Sequence, residues 1–320
     1  MGELRLAKSN MGRQMDRRTV LASLGALTLA SPLEAQEAPS WSSPVLDLHW
    51  HMRRTPQANL AHMNGSGVAQ ANLLTGSNAL EAVSVLQAQN PHRFPSWFAS
   101  ADITKPDAAA ILTQAVKNGA SGFGEIKFHV AADSPELQRM YALAGELGVP
   151  IMVHFQEVGH TPTEGTFASG WKQFATMLRK YPKTKFIGHA DAFWANISAD
   201  YAEREAYPTG PVARGGVTDR LLGDHPNLFG DMSANSGNNG LSRDPEFTKD
   251  FLHRHQGKLL FGSDCNCSDG RGSNTERAAP RMRGKCVARE TLTLLTNATT
   301  PPVFKKLVWD NAHTLLNLPR

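Results

Sequence analysis

Four histidines and two acidic residues in this 320-residue chain combine the side chains that hold a catalytic metal ion. His49 and His51 form an H-x-H pair in "VLDLHWH", Glu125 lies in "GFGEIKFH", His154 in "IMVHFQ", His189 in "FIGHAD" and Asp264 in "LLFGSDCN". Imidazole nitrogen together with carboxylate oxygen suits Zn²⁺, Mn²⁺ or Fe²⁺ better than Mg²⁺ or Ca²⁺. Such an ion lowers the pKa of a bound water to about 7 and supplies hydroxide near neutral pH. The H-x-H pair alone says little, because chance placement of 12 histidines gives roughly half such a pair. Its meaning depends on the elements that carry it.

Short β-type runs alternate with helical patterns along the chain. Strands are expected at 45–49, 68–74, 95–99, 123–128, 150–154, 185–189, 227–233 and 258–263. Apolar residues at i, i+3, i+4 and i+7 predict helices over 78–89, 106–119 and 134–148. The last two open near a proline and close on glycine, the expected start and stop signals. "FASGWKQFATMLRKYP" and "DPEFTKDFLHRHQG" have the same helical spacing. Alternating strands and helices of this number and total length predict an α/β fold, a (β/α)₈ TIM barrel formed as one domain over residues 39–320. A doubly wound open sheet is the alternative, but no glycine-rich phosphate loop follows the first strand. The stretches 190–226 and 265–286 are expected to be long loops over the C-terminal mouth.

On this frame all six residues fall at or near the C-terminal end of an apolar strand, where a barrel gathers distant side chains into one mouth. Residues i and i+2 of a strand share a face, so His49 and His51 can both point inward. His253 and His255 repeat the H-x-H spacing on a helical pattern, where the two side chains lie about 200° apart. They are assigned to solvent or helix-end roles. Trp50, between the first pair, is expected to pack on the opposite face.

The order of these groups resembles the amidohydrolase superfamily. "DLHWH", "GEIKFH", "FIGHAD", "GDMSA", "LLFGSD" and "VWDNAHTLLNL" look like its amidohydrolase-related branch of TIM-barrel hydrolases and some decarboxylases, over residues 44–318. The resemblance implies a first metal on His49, His51 and Asp264, and a second on Glu125, His154 and His189 with Glu125 bridging. It also implies that Asp264 shuttles the proton of the attacking water. "GEIKFH" is similar to the strand-4 signature of TatD-like deoxyribonucleases, in which glutamate ligates metal. Elsewhere in the superfamily a carboxylated lysine takes that place, and Lys127 shares the face of Glu125. Glu125 is preferred because it needs no modification. Zinc is the expected ion, with manganese or iron as alternatives and one or two ions per chain.

Asp231 in "LFGDMSANSG" is a candidate to orient a ligand or substrate, and Lys127, His129, His160, Asp191 and Trp194 are candidates to line the pocket. Arg271, Arg281 and Arg283 are read as solvated loop residues. The expected activity is metal-dependent hydrolysis of an ester, lactone or amide of a small molecule. A non-oxidative decarboxylase on the same site is the alternative enzyme, and a non-catalytic metal- or ligand-binding barrel is the alternative of another class.

Residues 1–38 resemble a twin-arginine export signal and linker, with Arg17 and Arg18 before the apolar run Val20–Ala30. That run is too short to span a bilayer and fits a signal-peptide hydrophobic region. Translation from Met11 or Met15, cleavage within Ala30–Ala38 and periplasmic location follow as expectations. The formal net charge is +4, of which residues 1–36 carry two, through five basic and three acidic side chains. No basic stripe with interleaved aromatics remains, which argues against nucleic acid as a partner and against a nuclease. The partners expected are a small-molecule substrate and, optionally, further copies of the chain, with no lasting membrane association. In an oxidising compartment, one disulfide from Cys286 to Cys265 or Cys267 is expected, leaving one thiol over.

Overall fold

The computed structural model describes residues 39–319 except 161–162, 166 and 274–279. The expected signal segment and its cleavage range lie outside the described residues. Eight parallel strands form one sheet in sequence order: β1 (Leu46–His51), β2 (Gln70–Gly76), β3 (Ser96–Ser100), β4 (Gly122–Ile126), β5 (Ile151–His154), β6 (Phe186–His189), β7 (Leu228–Asp231) and β8 (Leu259–Leu260). The sheet curls until its edges meet. The Leu48 amide donates to the Phe261 carbonyl at 2.9 Å, and the Ser263 amide to Asp47 Oδ1 at 2.8 Å. The result is a nearly closed barrel of the (β/α)₈ kind.

Apolar residues divide between two layers. Leu46, Leu48, Leu74, Phe98, Met152, Ile187 and Leu260 come from six strands and pack together, so they fill the barrel interior. The C-terminal residues Ala312, Leu315 and Leu316 pack against this cluster. A larger layer, including Trp50, Leu73, Phe123, Val153 and Phe186, joins the sheet to the surrounding helices. Strand alternation produces this division, because successive side chains point to opposite faces. The register shifts between Asp47 and Trp50 against β2. That irregularity lets Leu48 face the interior while His49 turns into the mouth.

Helix ends follow the sequence signals. Thr55 caps Pro56–Ser66 and Ser134 caps Pro135–Leu147, each accepting a backbone N–H and followed by proline; Gly67 and Gly148 close them in the left-handed conformation. Two expectations need correction, and one helix lies where none was expected. The stretch 190–226 is not all loop, since Asp191–Ala195 and Val217–Asp224 are helical. The helix expected through "FASGWKQFATMLRKYP" is only a 3₁₀ turn at Trp171–Gln173 and a short helix at Ala175–Lys180. The "ANSGNNGLS" segment, whose composition is that of a turn, is a helix at Ala234–Ser242, buried along most of its length. Among the described residues no helix is long and apolar enough to cross a membrane.

Candidate metal centre

His154 and His189 are register partners across β5 and β6, so adjacent strands deliver two imidazoles side by side. β1 delivers His49 and His51, whose Nε2 atoms lie 3.3 Å apart. Glu125 comes from an irregular stretch of β4, where the register shifts between Phe123 and Ile126. Asp264 follows β8, and its amide donates to the His49 carbonyl at 2.9 Å.

Glu125 faces both groups of donors. Its Oε2 lies 3.9 Å from His49 Nε2 and 3.6 Å from His51 Nε2. Its Oε1 lies 3.4 Å from His189 Nε2 and in close contact with His154 Nδ1. Asp264 Oδ1 joins the first group, 3.3 Å from His51 Nε2 and 3.8 Å from His49 Nε2. Three overlapping triads of these side chains bring their donor atoms within 4.8 Å of one another: His49–His189–Asp264, His49–His51–Glu125 and Glu125–His154–His189. Nitrogen and oxygen donors this close, mostly buried, fit one or two divalent transition ions. The six residues singled out by sequence therefore meet in one place.

The imidazoles are held from behind. Asp231 is fully buried, and its Oδ2 accepts from His49 Nδ1 at 2.7 Å, His189 Nδ1 at 3.0 Å and Ser233 Oγ at 2.6 Å. Occupying both Nδ1 atoms turns both Nε2 lone pairs toward Glu125. His154 is held the other way round. Its Nε2 meets Gln156 Oε1 at 2.7 Å, while the Gln156 amide nitrogen donates to the Val158 carbonyl at 3.0 Å. That second bond fixes the glutamine so that its oxygen faces the ring, which leaves His154 Nδ1 to face Glu125. Asp231 thus orients two of the imidazoles and does not line the cavity. Sequence reasoning missed Ser233 and Gln156, although each lies two residues beyond a group already identified, on the same face of an extended chain.

The charges respond to this crowding. Burial works against ionisation of Asp231, yet the His49 charge and hydrogen bonds from His189 and His49 hold its carboxyl well below the usual range. Asp264 is likewise held low, burial being outweighed by His49 and His51. Burial opposes a charge on His51, but hydrogen bonds to Asp264 and Glu125 push it up to about 10. At the β1–β8 seam, burial pushes the Asp47 carboxyl up to about 7 against bonds from Ser263 and His49.

The centre opens into a cavity of about 320 Å³ lined by His51, Glu125, His154, His189 and Asp264 together with Lys127, His160, Asp191, Tyr207, Asn235 and Ser236. His160 Nε2 bonds Asp191 Oδ1 at 2.9 Å and its ring stacks on Tyr207. Lys127 pairs with Glu164 at 3.8 Å. Two pocket candidates are placed elsewhere. Trp194 is buried and donates to the Asp231 carbonyl at 2.8 Å, so it packs behind the centre. His129 is an exposed residue stacked on Phe167 outside the cavity lining. Arg281 is not simply solvated, since it donates to Asn235 Oδ1 at 2.7 Å and Asn238 Oδ1 at 2.8 Å. His255 takes the helix-end role, closing the helix Pro245–Arg254 and pairing, nearly buried, with Asp219 Oδ1 at 2.7 Å. The expected disulfide is absent: Cys265, Cys267 and Cys286 are all free, with Sγ of Cys265 at 3.4 Å from Cys267 and 3.9 Å from Cys286.

A parallel barrel whose strand ends converge imidazoles and carboxylates beneath a polar cavity defines a class of barrel enzymes with a metal centre at the C-terminal mouth. The amidohydrolase family model matches residues 51–318, and the chain belongs to this metal-dependent family. Solved structures share the fold. An amidohydrolase from Burkholderia multivorans with bound HEPES is 13% identical, with a TM-score of 0.57, covering 87% of this chain and 100% of that one. A probable 2-pyrone-4,6-dicarboxylic acid hydrolase from Acinetobacter baumannii with citric acid bound is 13% identical, with a TM-score of 0.55 and coverage of 86% and 99%. A dihydroxybenzoic acid decarboxylase from Polaromonas sp. JS666, with bound manganese and the inhibitor 2-nitroresorcinol, is 17% identical, with a TM-score of 0.53 and coverage of 87% and 98%. No curated protein sequence matches the chain.

Proposed function

We propose that the protein is a metal-dependent hydrolase of an ester, lactone or amide bond in a small molecule, with His49, His51, Glu125, His154, His189 and Asp264 as metal ligands. The observation that carries this reading is the position of Asp264. Its carboxylate lies 3.3 Å from His51 Nε2 while the side chain keeps 25% exposure toward the cavity, so it can reach both the ion and a reacting water. Zinc fits the donor set best, with manganese next, the ion bound in the Polaromonas decarboxylase. When bound, the ion acidifies water and polarises the scissile carbonyl. Asp264 then accepts the proton as the new C–O bond forms and returns it to the oxygen or nitrogen that leaves. Lys127 and His160, the latter held by Asp191, face the polar end of the substrate.

Decarboxylation is the second reading, favoured by the same Lys127 and His160, which would hold a carboxylate, and by the fold shared with the dihydroxybenzoic acid decarboxylase. The test is product analysis of the metal-loaded chain on panels of lactones, esters, amides and hydroxybenzoic acids. Cleaved acid without gas supports hydrolysis, and released CO₂ overturns it. Turnover on neither panel favours a binding barrel. Asp264→Asn should lower turnover by about 10²–10⁴-fold, the usual worth of a positioned proton carrier, with metal retained. Export is part of the same proposal: a periplasmic domain over 39–320, acting alone or as a homo-oligomer on a small molecule. N-terminal sequencing of exported protein should begin within residues 31–39.

A further inference from the structure

The three free cysteines gather on one histidine, and none of the four lines the cavity of the first centre. Cys265 and Cys267 lie in the segment after β8, Cys286 caps the helix Val287–Ala298, and His62 lies in the helix Pro56–Ser66. Cys267 and His62 are 0% exposed and Cys286 is 2% exposed. Cys286 Sγ lies 3.8 Å from His62 Nε2, and all four donor atoms lie within 4.8 Å of one another.

We propose that Cys265, Cys267, Cys286 and His62 form a second, structural zinc site. Tetrahedral zinc with sulfur at about 2.3 Å and nitrogen at about 2.0–2.1 Å separates its ligands by about 3.6–3.8 Å along the edges. The separations of 3.4, 3.8 and 3.9 Å fall within about 0.4 Å of those edges. A disulfide would instead need sulfurs about 2.05 Å apart, with the third thiol and the imidazole left over. His62 supplies an independent sign. Its ring is wholly buried, Nδ1 has no hydrogen-bond partner, and Nε2 faces thiol sulfur. Burying an imidazole whose Nε2 meets only weakly interacting thiol sulfur is costly, and zinc at Nε2 would supply a strong partner at that nitrogen.

Charge also balances. Zinc with three thiolates and a neutral imidazole carries one negative charge. Arg53 stands against the cluster, donating to the Cys265 carbonyl at 2.8 Å and the Cys267 carbonyl at 3.2 Å, with its guanidinium over the Trp50 ring. The surrounding backbone is already drawn tight. A Cβ on Gly65 would lie 1.8 Å from the Asp269 carbonyl oxygen, and one on Gly270 would lie 2.2 Å from that of His62. The site would therefore staple the segment after β8 to two helices. That segment includes Asp264 and Asn266 of the cavity wall, so the staple would fix the lip of the catalytic mouth without taking part in its chemistry.

The test uses the full-length chain purified without chelator. An organomercurial attacks thiolate ligands and not imidazole or carboxylate ones, and it should release one equivalent of zinc per chain to a chromogenic indicator. Cobalt exchange should produce a sulfur-to-cobalt charge-transfer band, which the imidazole–carboxylate centre cannot give. Cys286→Ser should lose that band and one equivalent of metal, whereas His62→Cys keeps four strong ligands and should retain both. The wild-type measurements decide the matter even where a variant fails to fold. Three thiols that react with a disulfide reagent without releasing metal would overturn the assignment. So would an intact mass short by two hydrogens with no mercurial-released zinc, the mark of a disulfide.

Discussion

Asp231→Asn is the sharpest test of how the centre is built. In the wild type, Oδ2 accepts from His49 Nδ1, His189 Nδ1 and Ser233 Oγ, and Oδ1 accepts from the Ser233 amide at 3.2 Å. Every direction around the carboxylate is thus met by a donor. An asparagine must point its own NH₂ at one set of these donors, whichever way it flips. The least damaging orientation keeps the oxygen on the imidazoles and turns the NH₂ toward the Ser233 amide. Two charge-assisted bonds then become neutral ones, at a cost of about 1 kcal/mol each. A loss of about 2 kcal/mol corresponds to roughly 30-fold weaker metal binding, inside the 10–100-fold range usual for partners of metal-bound histidines. Competition against a chromophoric chelator reads this directly, with far-ultraviolet circular dichroism to establish that the barrel is intact. Ser233→Ala removes one hydroxyl and should cost less, about 1 kcal/mol. Metal affinity within threefold of wild type in Asp231→Asn, at unchanged turnover, would refute the claim that Asp231 aims the histidines.

Three further outcomes follow from other parts of the structure. Without metal, Asp264 and Glu125 hold a proton on His51 up to about pH 10, so loading the centre at neutral pH must expel it. Calorimetry in buffers of different ionisation enthalpy should detect that release, and affinity should rise by about tenfold per pH unit for each proton displaced; uptake independent of buffer and pH would contradict the arrangement. Gly262 packs so closely that a Cβ there would lie 2.4 Å from Asp231 Oδ1 and 2.7 Å from His49 Cβ. Gly262→Ala should cost about 1–3 kcal/mol of stability and weaken metal binding, whereas Gly223→Ala, with open space around it in the helix Val217–Asp224, should stabilise by up to about 1 kcal/mol. Finally, burial opposes ionisation of Asp219, but hydrogen bonds from His255 and Arg254 pull its carboxyl down to about 2. A depressed carboxyl stabilises the fold above its unfolded pKa near 4 and loses that contribution as pH falls through 2. Asp219→Asn should therefore cost about 1–2 kcal/mol at neutral pH, allowing for the solvent exposure of Arg254, with the difference fading below about pH 3 in denaturant titrations.

The strands and the converging donor groups were legible because both rest on local patterns. Parallel strands buried on both faces appear as short apolar runs, and a polar residue at the end of such a run stands out. His154 and His189 need nothing more to be found, since their strands pair them in register. The decoy His253–His255 could be set aside for the same reason, its helical period being visible in the sequence. What stayed hidden depends on contacts between distant segments. The helix Ala234–Ser242 contradicts its own turn-like composition and is stabilised from outside. Arg281 binds Asn235 and Asn238 on it, and the Asn238 side chain also donates to Thr291 Oγ1 at 3.1 Å. The cysteines show the same limit from the opposite direction. Their spacing suggests a disulfide as long as His62, some 200 residues away in sequence, is left out of account. Once the barrel closes, the segment after β8 comes to lie against that helix, and the pattern becomes three sulfurs and one nitrogen around a common point. Sequence spacing revealed the imidazoles and carboxylates that strands present to the barrel mouth, and it concealed the cluster that exists only because distant segments of the chain meet.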